Sequence, residues 1–240
     1  MSKQNELAQF ADVVTVNSGK VGIGTSSPTV LLDLESASPI IRLTDSDASG
    51  TPECQVSGAG GDLIFDADRD NEKASSLMAF KVDGSERMRI DATGAVTMPH
   101  QPAFLVTKNS DQNNIATGSE VTVTWQAEVF DQNSDFASNV FTAPVTGKYL
   151  LTSAIRVDNL DTASNYYNFL FTTSNRVYRK IIDYGGLSGD PVYWFFSLTA
   201  IADMDAGDTA SVKIYQNNGT AQMDIIGDVT RSYFSGYLVA

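Results

Sequence analysis

Residues 192–199, VYWFFSLT, decide the fold because the strand that they predict is apolar on both sides. Successive side chains of a strand point to opposite faces, so Tyr193 and Phe195 face one way while Trp194 and Phe196 face the other. A two-sheet sandwich buries only the inner face of each sheet. The outer aromatic face therefore needs a cover. A further subunit is the simplest cover, and a loop of the same chain forming a third layer is the alternative.

Similar alternating runs fill the chain from residue 103 to residue 240. Residues 121–125, 149–157 and 167–172 alternate in the same way, and turn signals such as the Asn-Gly pair at 218–219 separate the runs. Eight or more strands at regular spacing indicate an antiparallel β-sandwich. Burying a Phe or Trp contributes on the order of 2–3 kcal/mol, so several outer aromatic residues per chain would make an oligomer obligate.

The chain before residue 100 has a different pattern, with many short candidate strands and frequent turns. The predicted strands include residues 31–34, 40–44, 78–82 and 88–91. A polar stretch of this size offers a single chain only a thin core, and such segments usually gain their core by association. The two prolines of PHQP, residues 99–102, resist continuation of a β ladder and mark the boundary with the sandwich.

The composition argues against several classes of function. The net charge of −13 is spread along the chain, and an acidic surface repels phosphate backbones, so we expect no nucleic-acid binding. Cys54 and His100 are the only cysteine and the only histidine, which excludes an intrachain disulfide and disfavours a zinc site or a Cys–His pair. No apolar run approaches the roughly 18 residues of a membrane span, and the start is not a signal peptide. We expect a soluble protein without membrane insertion, made in a cytoplasm.

The glycine-rich stretch VGIGTSSP at residues 21–28 raises the question of a phosphate site. A phosphate-binding P-loop has its lysine after the glycines and a helix N-terminus behind them. Here Lys20 precedes the glycines, and Pro28 and the alternating residues TVLLDL follow. We therefore interpret the stretch as a turn that opens a β-rich module, and we predict no cofactor at this position.

Three segments of the C-terminal half resemble the jelly-roll trimers of the complement C1q globular head and the tumour necrosis factor superfamily. The segments are FTAPVTGKYLL at residues 141–151, MDAGD at 204–208 and YFSGYL at 233–238. The resemblance covers about residues 101–240 and implies a ten-strand jelly roll that trimerises, with both termini near its base. The residues expected in the core or the trimer interface are Trp125, Phe141, Gly147, Tyr149, Tyr193, Phe195, Phe234, Gly236 and Tyr237.

The N-terminal half resembles the shaft of tail-fibre and tailspike proteins of tailed bacteriophages. The matching segments are VGIGTSSP at residues 21–28, IRLTD at 41–45, ERMRID at 86–91 and the shaft-to-head joint MPHQPAF at 98–104. The resemblance divides the chain into an attachment segment at 1–17, a β-rich fibre shaft module at 18–100 and a knob at 101–240. Apolar residues on one face of residues 4–14 predict a short amphipathic helix, and a frayed arm is the alternative.

The sequence thus predicts an all-β protein: a short N-terminal helix and a β-rich trimeric shaft, followed by an antiparallel jelly-roll β-sandwich that trimerises. The expected function is that of a homotrimeric virion fibre protein of a tailed phage. It would contact other virion proteins through its N-terminus and bind a host-surface receptor, a glycan or a protein, through its knob. The loops at 157–166 and 182–191 suit adaptable hydrogen bonding. The candidate contact residues are Asn159, Asn165, Tyr166, Tyr184 and Asp190.

Two other functions remain open at this point. A purely structural fibre or decoration protein of the capsid or collar fits the same pattern. A glycan-hydrolysing tailspike would need paired carboxylates. Asp66, Asp68 and Asp70 alternate along the chain, but such alternation is typical of a solvated strand edge or loop, and the length leaves no room for a catalytic β-helix. We predict no catalytic residues and no enzyme activity.

A calcium site is a further candidate, because some trimers of the jelly-roll family bind calcium near the apex through loop aspartates. Oxygen donors of the right kind are Asp131, Asp135, Asp158 and Asp161, together with Asn159. No EF-hand loop is present, and exposed loop carboxylates without a metal are the alternative interpretation.

Overall fold

The computed structural model describes residues 13–240, and the chain divides between Met98 and Pro99 into two compact units. Residues 4–12 of the helix predicted at 4–14 and residues 1–12 of the attachment segment at 1–17 lie outside the described residues, and Val14 at the end of the predicted helix belongs to a strand. Within the described part of the chain, no helix has the length and apolar character needed to cross a membrane.

The N-terminal unit consists, from residue 13 onwards, of three separate three-stranded sheets. In chain order, three strands to a sheet, they are β1 (Val14–Asn17), β2 (Lys20–Ile23), β3 (Leu32–Leu34), β4 (Ile40–Thr44), β5 (Glu53–Ala59), β6 (Asp62–Ala67), β7 (Met78–Val82), β8 (Ser85–Ile90) and β9 (Val96–Thr97). The strands β2 and β3 are parallel, and the other pairs of this unit are antiparallel.

The stretch VGIGTSSP forms the end of β2 and the turn after it. Val21 and Gly24 donate their backbone N–H groups to the carbonyls of Leu31 and Val13, at 2.9 and 3.2 Å. Gly24 has a φ of +81°, and a Cβ at this position would collide with the carbonyl of Glu35. These amides are committed to the sheet and its flanks, and a strand follows instead of a helix, so the stretch lacks the geometry of a phosphate cradle.

The described part of the N-terminal unit has no apolar core. Apart from Pro28 and Pro102, all the buried apolar side chains of the described chain lie between Phe104 and Phe234. Only Gly22, Pro28 and Gln55 are buried within residues 13–98. Large apolar side chains of these small sheets are exposed: Val16, Leu31, Leu32, Ile40, Ile41, Leu43, Leu63, Ile64, Phe65, Phe80, Val82 and Val96. Without buried apolar area, a chain cannot offset the conformational entropy that it loses on folding.

The C-terminal unit is a two-sheet sandwich of twelve strands. They are β10 (Ala103–Thr107), β11 (Glu120–Thr122), β12 (Ala127–Asp131), β13 (Phe136–Ala137), β14 (Val140–Thr142), β15 (Gly147–Asp158), β16 (Tyr166–Thr173), β17 (Val177–Ile182), β18 (Tyr193–Met204), β19 (Thr209–Asn217), β20 (Asp224–Ile225) and β21 (Tyr233–Leu238).

The order of these strands is that of a jelly roll. One sheet, which we call the β18 sheet, has the order β12-β10-β21-β15-β18, and the other, the β17 sheet, has the order β13-β14-β19-β16-β17. The short strands β20 and β11 pair with β15 and β19. All pairs are antiparallel, and the chain crosses between the sheets after β10, β11, β12, β14, β15, β17, β18 and β19. The predicted all-β jelly-roll sandwich is confirmed, with ten strands in the two main paths.

An aromatic cluster fills the space between the two sheets. The ring of Phe234 lies 4.9 Å from that of Phe104, 5.7 Å from Phe171, 6.0 Å from Phe136 and 6.2 Å from Trp125, measured between centroids. Aromatic pairs at such distances contribute stabilisation beyond their buried area. Phe141 and Tyr149 extend the cluster and are fully buried, and the Tyr149 hydroxyl donates to the carbonyl of Val145 at 2.7 Å.

Two glycines let the backbone approach this core closely. A Cβ on Gly236 would lie 2.8 Å from both the Phe104 ring and the Leu151 side chain. A Cβ on Gly147 would lie 2.7 Å from the carbonyl oxygen of Ala240. Both distances are shorter than real Cβ contacts allow, so these positions require glycine for packing and not for turn formation.

The solvent-facing side of the β18 sheet, which we call the outer face, carries the second apolar surface predicted from VYWFFSLT. Tyr193 is 68% exposed and Phe195 is 48% exposed, whereas the neighbouring Phe196 is buried. Ile201 on the same strand and Tyr237 on β21 extend the exposed surface. Within the sandwich unit, residues 99–240, no segment forms a third layer over these side chains.

A buried lysine ties the segment after β10 to the sandwich. The Lys108 side chain is fully buried, and its Nζ donates to the carbonyl and the hydroxyl of Thr124, both at 3.1 Å, and approaches the Gln112 side-chain oxygen at 3.5 Å. These acceptors are neutral. Burial without a carboxylate partner lowers the pKa of Lys108 from 10.5 to about 8, although the charge of Asp111 acts in the opposite direction.

The low pKa of Lys108 predicts a rise of stability with pH. Between pH 8 and 9.5 the unfolded chain keeps its lysine proton while the folded chain loses it, so raising the pH favours the folded state. We expect the urea midpoint to rise over this interval, and we expect Lys108→Met to remove that part of the rise. Lys148→Met, at an exposed lysine, is the control and leaves the rise intact. Identical slopes for wild type and Lys108→Met, measured at one protein concentration, would contradict this assignment.

Candidate functional site

The jelly roll has two ends. At one end, β10 begins at Ala103, which pairs with Tyr237. The loops at 143–146 and 205–208 lie at the same end, which we call the entry end. At the opposite end β15 finishes at Asp158, and we call this the loop end.

Three loops meet at the loop end: residues 159–165 after β15, 183–192 after β17 and 218–223 after β19. Both predicted contact loops, 157–166 and 182–191, are therefore at the same end of the sandwich. The sequence could not place them there because their position follows from the strand order.

Hydrogen bonds between side chains and neighbouring loops hold the loop end together. The Asn159 amide donates to Asp224 at 2.7 Å, and the Asn165 amide donates to the Asn217 side chain at 2.7 Å. The Asp190 carboxylate accepts from the backbone N–H and the hydroxyl of Thr162, at 2.8 and 2.6 Å. The predicted contact residues thus bridge the loops and fix their shape, while their exposed edges remain on the surface. Such preorganisation lowers the entropy cost of binding.

The best-connected group at this end is Asp161, which is buried. Its carboxylate accepts from the backbone N–H groups of Ala163 and Ala221, both at 2.7 Å, and also from the backbone N–H of Thr220. Burial by itself would raise the pKa of Asp161. The hydrogen bonds from Ala221, Ala163 and Thr220 outweigh burial and hold the pKa below its usual value. Asp161 is therefore a clip between two loops.

Two predicted contact tyrosines are partly buried. The Tyr184 ring packs edge-on against Trp194 at 5.0 Å and stacks on Phe196 at 6.3 Å. Desolvation raises the pKa of Tyr184 to about 12. Tyr166 lies 5.9 Å from Tyr215, and its hydroxyl accepts from the Asn217 amide at 3.3 Å. Both rings support the loops from below and expose only part of their surface.

The four aspartates considered as calcium ligands do not form one site. Across the neighbouring strands β10 and β21, Asp131 lies level with Leu151 of β15. Asp158 lies seven residues further along β15, a distance of about 23 Å. Asp135 is beside Asp131 at the entry end, and Asp161 is at the loop end. Among residues 13–240, no group of three or more His, Cys, Asp or Glu side chains could hold a metal ion.

Their local partners explain these carboxylates individually. Asp131 accepts from the backbone N–H groups of Asp135 and Phe136, both at 2.9 Å, and so caps the turn before β13. Asp158 pairs with Arg156 at 3.3 Å. Burial raises the pKa of Asp135, and the nearby Asp131 charge adds to this effect.

The aspartates considered above as hydrolytic carboxylates, Asp66, Asp68 and Asp70, lie in or next to a turn. Asp68 has a φ of +56° and accepts from the backbone N–H groups of Glu72 and Lys73, both at 3.1 Å, and from the Ser76 hydroxyl. Asp66 belongs to β6 and Asp70 lies in the exposed turn. The hydrogen bond from Ser76 is the largest influence on Asp68 and lowers its pKa, the opposite of what a general acid needs.

A groove at the loop end of the outer face was not predicted from the sequence. It has a volume of about 980 Å³ and is lined by Arg156, Tyr193, Trp194, Phe195 and Arg231. The Arg156 guanidinium lies 5.9 Å from the centre of the Tyr193 ring, a cation–π geometry. Both arginines pair with aspartates of the same chain, Arg156 with Asp158 and Arg231 with Asp228 at 2.6 Å. The groove is thus an aromatic continuation of the outer face, and its cations are already neutralised.

Comparisons with known proteins give similarity at the level of solved structures. No family model matches the chain, and no curated protein matches its sequence. The globular domain of a zebrafish complement 1qA protein is 17% identical and is matched with a TM-score of 0.43, over 59% of this chain and 98% of that chain. Murine APRIL at pH 8.0 is 14% identical, with a TM-score of 0.43 over 58% of this chain and 99% of that chain. The jelly-roll assignment rests on the strand order described above.

The clip at Asp161 predicts which part of the molecule loosens when the carboxylate is removed. Asp161→Ala leaves three loop amides without an acceptor, which costs about 2–4 kcal/mol locally. We expect hydrogen exchange to accelerate at least about tenfold in residues 159–165 and 218–223, with the β18 sheet unchanged. Asp205→Ala, in the exposed turn of the entry end, is the matched control. Unchanged exchange in these loops, or an increase spread over both sheets, would contradict the clip.

Proposed function

We propose that this chain is a homotrimeric fibre protein of a tailed bacteriophage, whose jelly-roll head binds a receptor on the bacterial surface. The observation that carries the proposal is that Pro28 has the only buried apolar side chain within residues 13–98, so this unit has no apolar core. Small sheets with exposed Leu, Ile, Phe and Val become stable when other chains cover them. Identical copies of the chain supply identical surfaces around a symmetry axis, which is how a β-rich shaft gains its core.

The head offers a surface of the same kind. The outer face and its groove present Tyr193, Phe195, Ile201 and Tyr237 to solvent, at a density that a monomer rarely exposes. Burying each of these side chains against a neighbouring copy would contribute on the order of 2–3 kcal/mol. The resemblance of the head to the jelly-roll trimers named above supports three copies, and the resemblance of residues 18–100 to phage shafts supports a place in the virion.

The loop end is the part of the head that we assign to the receptor. Its three loops are held by hydrogen bonds into one surface rich in Asn, Ser, Thr and Tyr, which suits contacts with a glycan or a protein. Three such surfaces on one trimer would add their weak affinities by avidity.

A pair of charge substitutions tests this assignment. Leu187 in the loop at 183–192 and Val145 at the entry end are 42% and 44% exposed, so an arginine at either position leaves the core untouched. We expect the fluorescently labelled protein to bind intact bacterial cells of a permissive strain saturably. Leu187→Arg should reduce binding at least about tenfold, and Val145→Arg should leave it unchanged.

A trimeric protein that binds no strain in a broad bacterial panel would favour the purely structural fibre of the capsid or collar. Equal loss of binding in both variants would remove the loop end as the contact surface.

A further inference from the structure

In each of the three small sheets before residue 99, the paired residues on one face are uncharged. Directly paired residues of neighbouring strands point to the same face of a sheet, so the strand register assigns these side chains to faces. In the first sheet, one face carries Val14, Val16, Val21, Ile23, Leu32 and Leu34. The opposite face carries Thr15, Asn17, Lys20 and Asp33. The apolar and polar side chains of this sheet are therefore separated.

The second and third sheets have the same division. In the second sheet the uncharged face, which we call the Cys54 face, carries Ile41, Leu43, Cys54, Val56, Leu63 and Phe65. Its opposite face carries Arg42, Glu53, Asp62 and Asp66. In the third sheet one face carries Met78, Phe80, Met88, Ile90 and Val96, and the other carries Lys81, Glu86 and Arg89. Arg87 lies at a register shift and pairs with no residue of β7.

The charged faces form ion pairs within one chain. Arg42 pairs with Glu53 at 3.2 Å on the second sheet, and Arg89 pairs with Glu86 at 2.6 Å on the third. Gln55, on the same face as Arg42, is only 8% exposed. These charges are therefore compensated without a second molecule, and the faces that carry them are suited to water.

The uncharged faces remain uncovered in one chain. On the Cys54 face, Leu43, Leu63 and Phe65 are 67%, 68% and 56% exposed. An open cavity of about 240 Å³ is lined by residues of the second and third sheets, among them Phe65, Val56 and Met78. The uncharged faces of these two sheets thus adjoin in one apolar surface. Contiguous exposed apolar surface of this kind is typical of an interaction site.

The charge of the chain decides what can cover this surface. The net charge is −13, and the acidic side chains of the second sheet lie on the face opposite Cys54. Identical copies that met through their charged faces would repel each other, whereas uncharged faces can meet while the acids stay in water. A copy also presents the same three uncharged faces in the same order, and rotation about one axis brings them together.

We propose that the uncharged faces of three copies of this chain pack against one another, with Cys54 enclosed between chains and the charged faces outside. The inference rests on the proposed function for the number of copies, and it deepens that function by naming the surface through which the copies associate. Cys54 is exposed in a single chain, so its thiol reports whether this face is enclosed.

Maleimide labelling of the full-length protein, followed by mass spectrometry, measures the accessibility of Cys54, which is the only cysteine. The matched control is Thr44→Cys in a Cys54→Ala background, at an exposed position on the charged face of the same sheet. In the trimer we expect Cys54 to react at least about tenfold more slowly than the control thiol, because labelling requires local opening. In urea the two labelling rates should become equal.

Two neighbouring residues of β6 test the same assignment by substitution. Ile64 and Phe65 are 43% and 56% exposed in one chain and lie on opposite faces, with Phe65 on the Cys54 face. A separate chain would tolerate glutamate equally at either position. In the proposed trimer, Phe65→Glu encloses a carboxylate without a partner, so we expect labelling of Cys54 to accelerate at least about tenfold. Ile64→Glu should leave the labelling rate unchanged.

Three results would overturn the proposal. The first is a trimer in which Cys54 is labelled as fast as the control thiol. The second is protection of Cys54 in a monomer, which would mean that the chain covers its own face. The third is protection that appears only with detergent micelles or lipid vesicles, which would indicate an apolar partner of another kind.

These results are distinguishable from a failure of the proposed function. A trimer that binds bacterial cells but is labelled rapidly at Cys54 would remove the assignment of the enclosed face and leave the receptor-binding fibre intact. A trimer with a protected Cys54 that binds no bacterial cell would keep the enclosed face and remove the receptor role.

Discussion

Apolar area has to be buried for a β-sheet to be stable in water, and this chain buries it in only one of its two units. Residues 99–240 enclose an aromatic cluster centred on Phe234. Gly147 and Gly236 lack a Cβ, which allows their backbone to pack closely against neighbouring residues. Residues 13–98 form three small sheets and bury no apolar side chain other than that of Pro28. The same imbalance continues on the head, where Tyr193 and Phe195 remain exposed on the outer face. In the proposed trimer, association would supply the apolar contacts that the N-terminal unit lacks and would add stability to the head.

This constraint also determines which surfaces are free for function. If the outer face and its aromatic groove are used between subunits, the loop end remains for a receptor. Asp161, Asp190 and Asn165 form hydrogen bonds with neighbouring loops and so make the loop end rigid.

Much of the fold could be predicted from the sequence because periodicity reports which faces of a strand are apolar. VYWFFSLT predicted a strand with two apolar faces, and the structure places Phe196 inside and Tyr193 and Phe195 outside. The end of the sandwich that each loop occupies could not be predicted, since it depends on the strand order. For the same reason the sequence allowed Asp131 and Asp158 to be considered for one calcium site, although they are about 23 Å apart along the direction of β15. The burial of Lys108 leaves no periodic signal, because it depends on contacts between distant segments.

The mass of the native particle tests the central claim, that residues 13–98 acquire their core between chains. Native mass spectrometry of the full-length protein should give a single species of about 77 kDa, three times the 25.8 kDa of one chain. Hydrogen exchange on the same sample should show protected amides in β4 to β8. A monomer of 25.8 kDa with those same amides protected would contradict the account, because the N-terminal unit would then fold without the apolar contacts that a single chain lacks.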